Sequence, residues 1–308
     1  MHKINFAKKR FVFKTALVVF SVLIISALAF LFDQTKKVSA QGSTYYVSST
    51  GSDANPGTET KPFKTIQHGV DSISGGDTLF IRDGTYPERV VIEQSKSGTE
   101  SNPTIISGYP GERPIIDGQD DPSVSSNWNL VLIAAGNIQF KDLEVANSAN
   151  RGINVYSGET PFVDGQYVNS QTNVVIENVW VHNTKNAGIL AEWLDNLTIK
   201  DSKFWQNNQI NNPESQFNEG CCWSGAISAR RGNNFVIQNN EIFESYGEGI
   251  NIHGGVVGAT IEDNVIYDTW APAVYPINSR DILVRRNLVY HTNDTRFCEM
   301  VIRHRELC

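Results

Sequence analysis

The chain has little cysteine or methionine: four Cys and two Met in 308 residues. So few thiols exclude a disulfide scaffold, and Cys221, Cys222, Cys298 and Cys308 lack the paired Cys/His spacing of a zinc site. One long-range bridge from the adjacent pair to Cys298 or Cys308 stays open, as do free thiols. There is no glycine-rich phosphate loop and no nucleophile elbow, so neither nucleotide-driven chemistry nor that form of esterase has its basic equipment. Long apolar runs are confined to the front. Lys3, Lys8, Lys9, Arg10 and Lys14 precede the uncharged stretch 15–32, and small residues end at Ala40. Residues 1–40 therefore read as a signal peptide cut near Ala40/Gln41, or as an N-terminal membrane anchor through 15–32, since about 18 residues can just cross a bilayer. On either reading the bulk of the chain is secreted or extracytoplasmic, because the positive flank stays inside.

Basic charge is scarce beyond that leader. Residues 1–40 hold seven Lys or Arg and one acid, which leaves 19 basic against 32 acidic side chains, a net charge of −13. Such a surface repels nucleic acid and anionic membranes outside any local basic patch. It also argues against a polyanionic substrate unless cations mediate binding.

What is present is a repeat. Phe140-Lys-Asp-Leu-Glu-Val145, Ile176-Glu-Asn-Val-Trp-Val181, Ile199-Lys-Asp-Ser-Lys-Phe204, Ile237-Gln-Asn-Asn-Glu-Ile242, Ile261-Glu-Asp-Asn-Val-Ile266 and Val284-Arg-Arg-Asn-Leu-Val289 share one form, with an Asx usually third. Their starts are separated by 36, 23, 38, 24 and 23 residues, one unit with two insertions. This period is too short for propeller blades and lacks the 3.6-residue spacing of helices. A second strand pattern opens on a small residue: Gly152-Ile-Asn-Val-Tyr156, Gly188-Ile-Leu-Ala-Glu192, Gly249-Ile-Asn-Ile-His253, Ala273-Val-Tyr-Pro-Ile277 and, less regularly, Gly225-Ala-Ile-Ser-Ala229. Strands this short cannot bury an apolar face alone, so the units must stack. The fold expected is all-β, a right-handed parallel β-helix, with the Asx residues bonding backbone or the next coil at a sharp turn. A short N-terminal capping helix over 65–72 is expected to cover the front of the stack. The layout reads as leader 1–40, cap and first coils 41–127, regular coils 128–290, and an irregular or truncated end 291–308.

The front carries a resemblance. Tyr46-Val-Ser-Ser-Thr-Gly-Ser-Asp-Ala-Asn-Pro-Gly-Thr58, Lys61-Pro-Phe-Lys-Thr-Ile66, Gly76-Asp-Thr78, Gly84-Thr-Tyr86 and Pro114-Ile-Ile-Asp-Gly118 together resemble the N-terminal part of secreted pectin-lyase-like β-helix proteins. That group includes pectate, alginate and chondroitin lyases and certain glycosidases. The resemblance implies the fold and a polysaccharide or cell-surface glycan as partner, with chemistry left to the site. It further implies a proton taken by Lys or Arg on the open face, often with calcium held by acids. No tight Asp cluster or Arg/Lys pair here maps onto those motifs position by position.

Alternation on the second strand sends Ile189, Ala191, Ile250 and Ile252 inward. The outward rows are then Asn154, Leu190, Ile227, Asn251 and Tyr275, beside Tyr156, Glu192, Ala229, His253 and Ile277. Turns before them add Arg151, Lys185, Tyr246, Glu248, Asp268 and Trp270; turns after add Trp193, Asp195, Arg230 and Arg231. Candidate catalytic residues are His253, Glu248, Arg230, Glu192 and Asp268, and candidate glycan contacts are Tyr156, Trp193, Asn251, Trp270 and Tyr275. Calcium through Glu192, Glu248 or Asp268 is a suggestion, since hard cations take oxygen ligands. The insertions 157–172 and 207–223 are expected to wall this face. Three functions fit: a lyase acting on uronic-acid glycan by β-elimination; a glycoside hydrolase, which needs two carboxyl groups about 5 Å or about 6.5–9.5 Å apart; and a non-catalytic glycan-binding or surface structural protein.

Overall fold

A computed structural model describes residues 42–297, except 127, 157, 159–161, 164–165, 168–170 and 220–223. The leader or anchor expected over 1–40 and all four cysteines lie outside the described residues. Among those described, no helix is long and apolar enough to cross a membrane.

Each coil contributes strands to three parallel sheets in turn. Sheet I has nine strands, sheet II eight and sheet III seven, with strands of successive coils adjacent in every sheet. At ~4.8 Å per strand, nine stacked strands span about 38 Å. The first position of the sequence repeat is in register in sheet I, where Phe140, Ile176, Ile199, Ile237, Ile261 and Val284 pair in succession. Its sixth position is in register in sheet II, where Val145, Val181, Phe204, Ile242, Ile266 and Val289 pair. Except in the last coil, these side chains are fully buried and belong to one core.

The third position explains the Asx preference. Asp142, Asn178, Asp201, Asn239, Asp263 and Arg286 all have φ between 52° and 58°. The corner from sheet I to sheet II needs a left-handed residue, which Asn and Asp tolerate best among non-glycines. The fourth position then turns inward as Leu143, Val179, Ser202, Asn240, Asn264 and Asn287. Its asparagines form a ladder. Asn264 Oδ1 accepts from the Asn240 backbone N–H and Nδ2, both at 3.0 Å, while Asn264 Nδ2 donates to Ile237 O and Asn287 Oδ1, both at 2.9 Å. Amides oriented this way satisfy both the corner backbone and one another, so polar groups stay buried without an orphan.

Outside sheet II, rings from successive coils also stack. His182 lies 4.0 Å from Trp205, and the row continues through Phe243, Tyr267 and Tyr290 at 5.8, 5.1 and 4.9 Å, with interplanar angles of 11° or less.

The front of the stack is covered. The helix Ile66–Ser72 is N-capped by Thr65, and its Ile66, Gly69 and Val70 are buried. Glu88 accepts from the Ile66 and Gln67 N–H groups at 2.8 and 2.9 Å, binding two donors that a helix start leaves free. The irregular front nevertheless supplies full coils: Thr44–Val47, Thr78–Ile81 and Thr104–Gly108 are the first three strands of sheet I. The last coil is open. Leu283, Val284, Leu288 and Val289 are 45, 44, 57 and 52% exposed. Part of the tail packs on the side, where Thr292 donates through N and Oγ1 to Asp268 and Phe297 lies buried beside Tyr246.

Candidate functional site

The outer face of sheet III carries the candidate site. Its strands, in coil order, are Val90–Ile92, Asn129–Ile133, Arg151–Val155, Ile189–Glu192, Gly225–Arg230, Glu248–His253 and Val274–Ile277. Ile189 pairs with Ile227, Leu190 with Ser228, Ala191 with Ala229 and Glu192 with Arg230. This corrects the expected outward rows: Ile227 and Ala229 are fully buried, and Ser228 and Arg230 take their outward places. The strand Gly225–Arg230 starts with two small residues, and the apolar side chains decide between the two registers by facing inward.

The corrected rows bring the chemistry together. Arg230 stands between Glu192 and His253, its register partners on the two neighbouring coils. Arg230 Nε donates to Glu192 Oε2 at 2.7 Å, and Arg231 Nη1 reaches the same oxygen at 3.3 Å. Burial, followed by Arg230 and Arg231, pushes His253 below the usual imidazole range. Its ring is therefore neutral at neutral pH and able to accept a proton. A cavity of about 540 Å³ opens on this face, lined in part by Trp128, Arg151, Leu190, Ser228, Arg230, Asn251, His253 and Tyr275. Asn251 Nδ2 donates to Glu248, while its buried Oδ1 has no partner among the described residues. Glu248 is held above the usual carboxyl range by burial, opposed by the Asn251 hydrogen bond.

Arg151 is the unusual member. It is partly buried, and burial, then Arg230, depress its pKa. Its guanidinium stands 5.9 Å from the ring centroid of Trp128, and Glu192, the acid that opposes the depression of its pKa, is itself bonded to Arg230 and Arg231.

Of the sequence candidates, Arg230, Asn251, His253 and Tyr275 line the cavity, with Glu192 behind Arg230 and Glu248 behind Asn251. The rest stand elsewhere. Tyr156 follows its strand in the row of Glu192 but does not line the cavity. Trp193 sits at the turn, under Arg231 at 5.1 Å. Trp270 donates to Arg296 O at 2.9 Å and packs edge-on against Tyr246, anchoring the tail. Asp268 is buried and held by Thr292 at the same corner. The 207–223 insertion is clamped to the stack where Glu219 meets Lys185 at 2.6 Å, with Trp223 outside the described residues. The other insertion contributes a two-stranded hairpin, Phe162–Val163 with Gln166–Tyr167.

Trp128 was not singled out from the sequence. It lies in a polar loop between Pro122–Ser125 and the strand Asn129–Ile133, and only its neighbour Arg151, one coil on, connects it to the groove.

The acids do not fit a calcium ion. Glu192 is committed to two arginines, Glu248 to Asn251 and Asp268 to Thr292, and no group of three or more His, Cys, Asp or Glu among the described residues could hold a metal.

Known proteins share this architecture. The family described as "Pel9A-like, right handed beta helix region" matches residues 45–225, and "Right handed beta helix region" matches 214–300. Uncharacterized protein YwoF of Bacillus subtilis is 33% identical over 142 residues, 44% of this chain and 30% of that protein. Pectate lyase PEL9 of Emericella nidulans is 39% identical over 101 residues, 32% of this chain and 25% of that protein. The chain thus spans less than a third of the length of these two relatives. Among solved structures, a rhamnogalacturonan lyase superposes with a TM-score of 0.62 at 17% identity, covering 82% of this chain and 64% of that one. Pectate lyase Pel9A superposes at 0.53 with 16% identity, covering 83% and 57%. At such identities the two superpositions speak for the fold, and with the sequence match over more than half its length the chain belongs to the Pel9A-like right-handed β-helix proteins.

Proposed function

We propose that the sheet III groove binds an acidic polysaccharide and cleaves it by β-elimination outside the cytoplasm. The observation that carries this reading is the charge of the cavity wall: Arg151, Arg230 and His253 line it, and no carboxylate among the described residues does. The net −13 expected of the exported chain argued against a polyanion, but a local cationic face overrides a distant acidic surface when screening cuts long-range fields to about 8–10 Å. The same wall disfavours hydrolysis, which needs two carboxyl groups facing the scissile bond.

The chemistry follows from neutralising the uronate. Guanidinium bonded to the carboxylate stabilises the negative charge that develops when the neighbouring C5 proton leaves. His253, neutral and facing the groove, accepts that proton. The C5–H electron pair forms the C4–C5 double bond, the C4–O bond breaks, and the departing glycosidic oxygen takes a proton from water. Asn251 Oδ1 offers a sugar hydroxyl an acceptor, and Tyr275, 37% exposed, offers a ring at the rim.

The test is incubation of the full chain with a panel of uronic-acid and neutral glycans, followed by product mass. Chains one water lighter than hydrolysis products, with the ultraviolet absorbance of an unsaturated end, support the proposal. Water gain identifies a hydrolase, and saturable binding without product identifies a binding module; either overturns it.

A further inference from the structure

Away from the groove, we propose that the corner between sheets II and III holds a second carbohydrate site, which takes a single neutral sugar residue through its hydroxyl groups. A cavity of about 260 Å³ opens there, lined in part by Asp120, Asn183, Gln206, Phe217, Tyr246 and Arg296. It shares no lining residue with the sheet III cavity. Small-molecule pockets run from about 300 to 1,000 Å³, so this one has room for one ring and not for a chain.

The cavity lies where a side-chain ladder breaks. Asn147, Asn183, Gln206 and Glu244 follow one another in register after the strands of sheet II, and all have φ between 49° and 54°. Asn147 Nδ2 donates to Asp117 Oδ1 at 3.0 Å, and Asn183 Nδ2 to Asn147 Oδ1 at 3.4 Å. The next rung would be Gln206 donating to Asn183. Gln206 Nε2 instead donates onward to Glu244 Oε2 at 3.0 Å, and the buried Asn183 Oδ1 has no partner among the described residues. The corner from sheet I to sheet II shows no such gap, since its amides satisfy one another. The carboxylate of Asp120, half-buried in the same wall, also accepts no hydrogen bond from a described residue. Burial, then the neighbouring Asp117, holds it above the usual carboxyl range, as befits a carboxylate that lacks a donor.

These unspent groups set the ligand. Asn183 Oδ1 and the Asp120 carboxylate are both acceptors, so they call for a partner rich in donors. An anion is disfavoured. Asp120 and Glu214 line the wall, and Arg296, the cation among the described lining residues, is bonded to Asp294 at 2.6 Å and reaches Glu244 at 3.3 Å. A bare cation would meet that same guanidinium, and no group of three or more His, Cys, Asp or Glu among the described residues could hold a metal. Hydroxyl groups donate without bringing charge. Phe217, carried by the 207–223 insertion, adds the apolar surface on which the C–H face of a sugar ring packs.

The experiment is saturation-transfer nuclear magnetic resonance on the full chain with methyl galactoside and methyl glucoside, each in chelator and in calcium. At least one is expected to bind, equally in both buffers. An excess of methyl galacturonoside, which differs from the galactoside only by a carboxylate at C6, should not displace it, whether or not the acid occupies the groove. Asp120→Asn should weaken the neutral sugar about 10-fold, as loss of a hydrogen bond to a charged acceptor does. Phe217→Ala should weaken it by about 3- to 10-fold. Arg230→Gln, in the groove, should leave it unaltered. An unchanged melting temperature certifies the fold of each variant; should Asp120→Asn not fold, Phe217→Ala carries the test. No transfer to either neutral glycoside, displacement by the galacturonoside, binding that requires calcium, or corner variants that bind like the parent overturn the proposal. Neutral-sugar binding beside a failed product assay sinks the lyase and leaves this site standing.

Discussion

Replacing Asn264 with Ala should cost the stack more than any other single amide in the ladder. The side chain makes four hydrogen bonds, two accepted from Asn240 and one donated each to Ile237 O and Asn287 Oδ1. Asn264 is 1% exposed and Asn240 2%, so water cannot replace those partners without entering the core. Each buried polar group left unsatisfied costs roughly 1–3 kcal/mol, and since the losses share one neighbourhood they do not add in full. About 3–5 kcal/mol is expected, a fall in melting temperature of about 10 °C at roughly 2–4 °C per kcal/mol for a chain of this size. Asn287→Ala supplies the control. Its amide makes similar bonds but sits in the half-buried last coil, where solvent can take over, so about 1 kcal/mol is expected. Thermal unfolding followed by circular dichroism compares the two. If Asn264→Ala melts within about 2 °C of the parent, or Asn287→Ala costs as much, the ladder is not what holds the corner.

Ile237→Ala, at the centre of the sheet I row, should lose about 2–5 kcal/mol and Ile237→Val about 1 kcal/mol in urea unfolding; equal losses would deny a close-packed core. Turnover should fall on acidification through a pKa below the usual imidazole value, because burial and the two arginines depress His253 and the acceptor must be neutral; a limb well above that value would assign the base elsewhere. Glu192→Gln removes the one nearby group that raises the His253 pKa, so nuclear magnetic resonance titration of the ring should move further down; an upward move would contradict the ion-pair geometry. Thr65→Ala, at the N-cap of the front helix, should cost about 1 kcal/mol and loosen hydrogen-exchange protection there before the central coils; uniform loosening would mean that the cap and stack melt as one.

The coil register was legible in the sequence because burial and backbone conformation constrain the same six positions. An apolar residue at each end and an Asx at the left-handed corner recur whenever a chain turns the same corner again. The register of Gly225–Arg230 was not legible by a small-residue key, since Gly225 and Ala226 both satisfy it and only packing of Ile227 chooses. The candidate site was half legible. Outward residues on regular strands, such as Asn251 and His253, follow from alternation, whereas Asp268 and Trp270 sit at a corner where alternation has stopped. Arg151 was visible as a residue, but its place beside Trp128 on the cavity wall is a fact of three dimensions. Calcium was suggested by counting acids, and a count does not show that each acid already has a donor.

The ring stack outside sheet II gives the molecule an optical signature. Trp205 is held between His182 and Phe243, with Trp180 edge-on at 6.0 Å. Transition dipoles locked this close in a chiral row couple, and the coupling falls steeply with separation. Near-ultraviolet dichroism from Trp205, Phe243 and Tyr267 thus reports the spacing of the middle coils, while Tyr290, 41% exposed at the end of the row, reports the last. A slip of one coil against another would silence part of that signal without altering the strand content seen in the far ultraviolet, so order between coils and order within them can be read separately in a single sample.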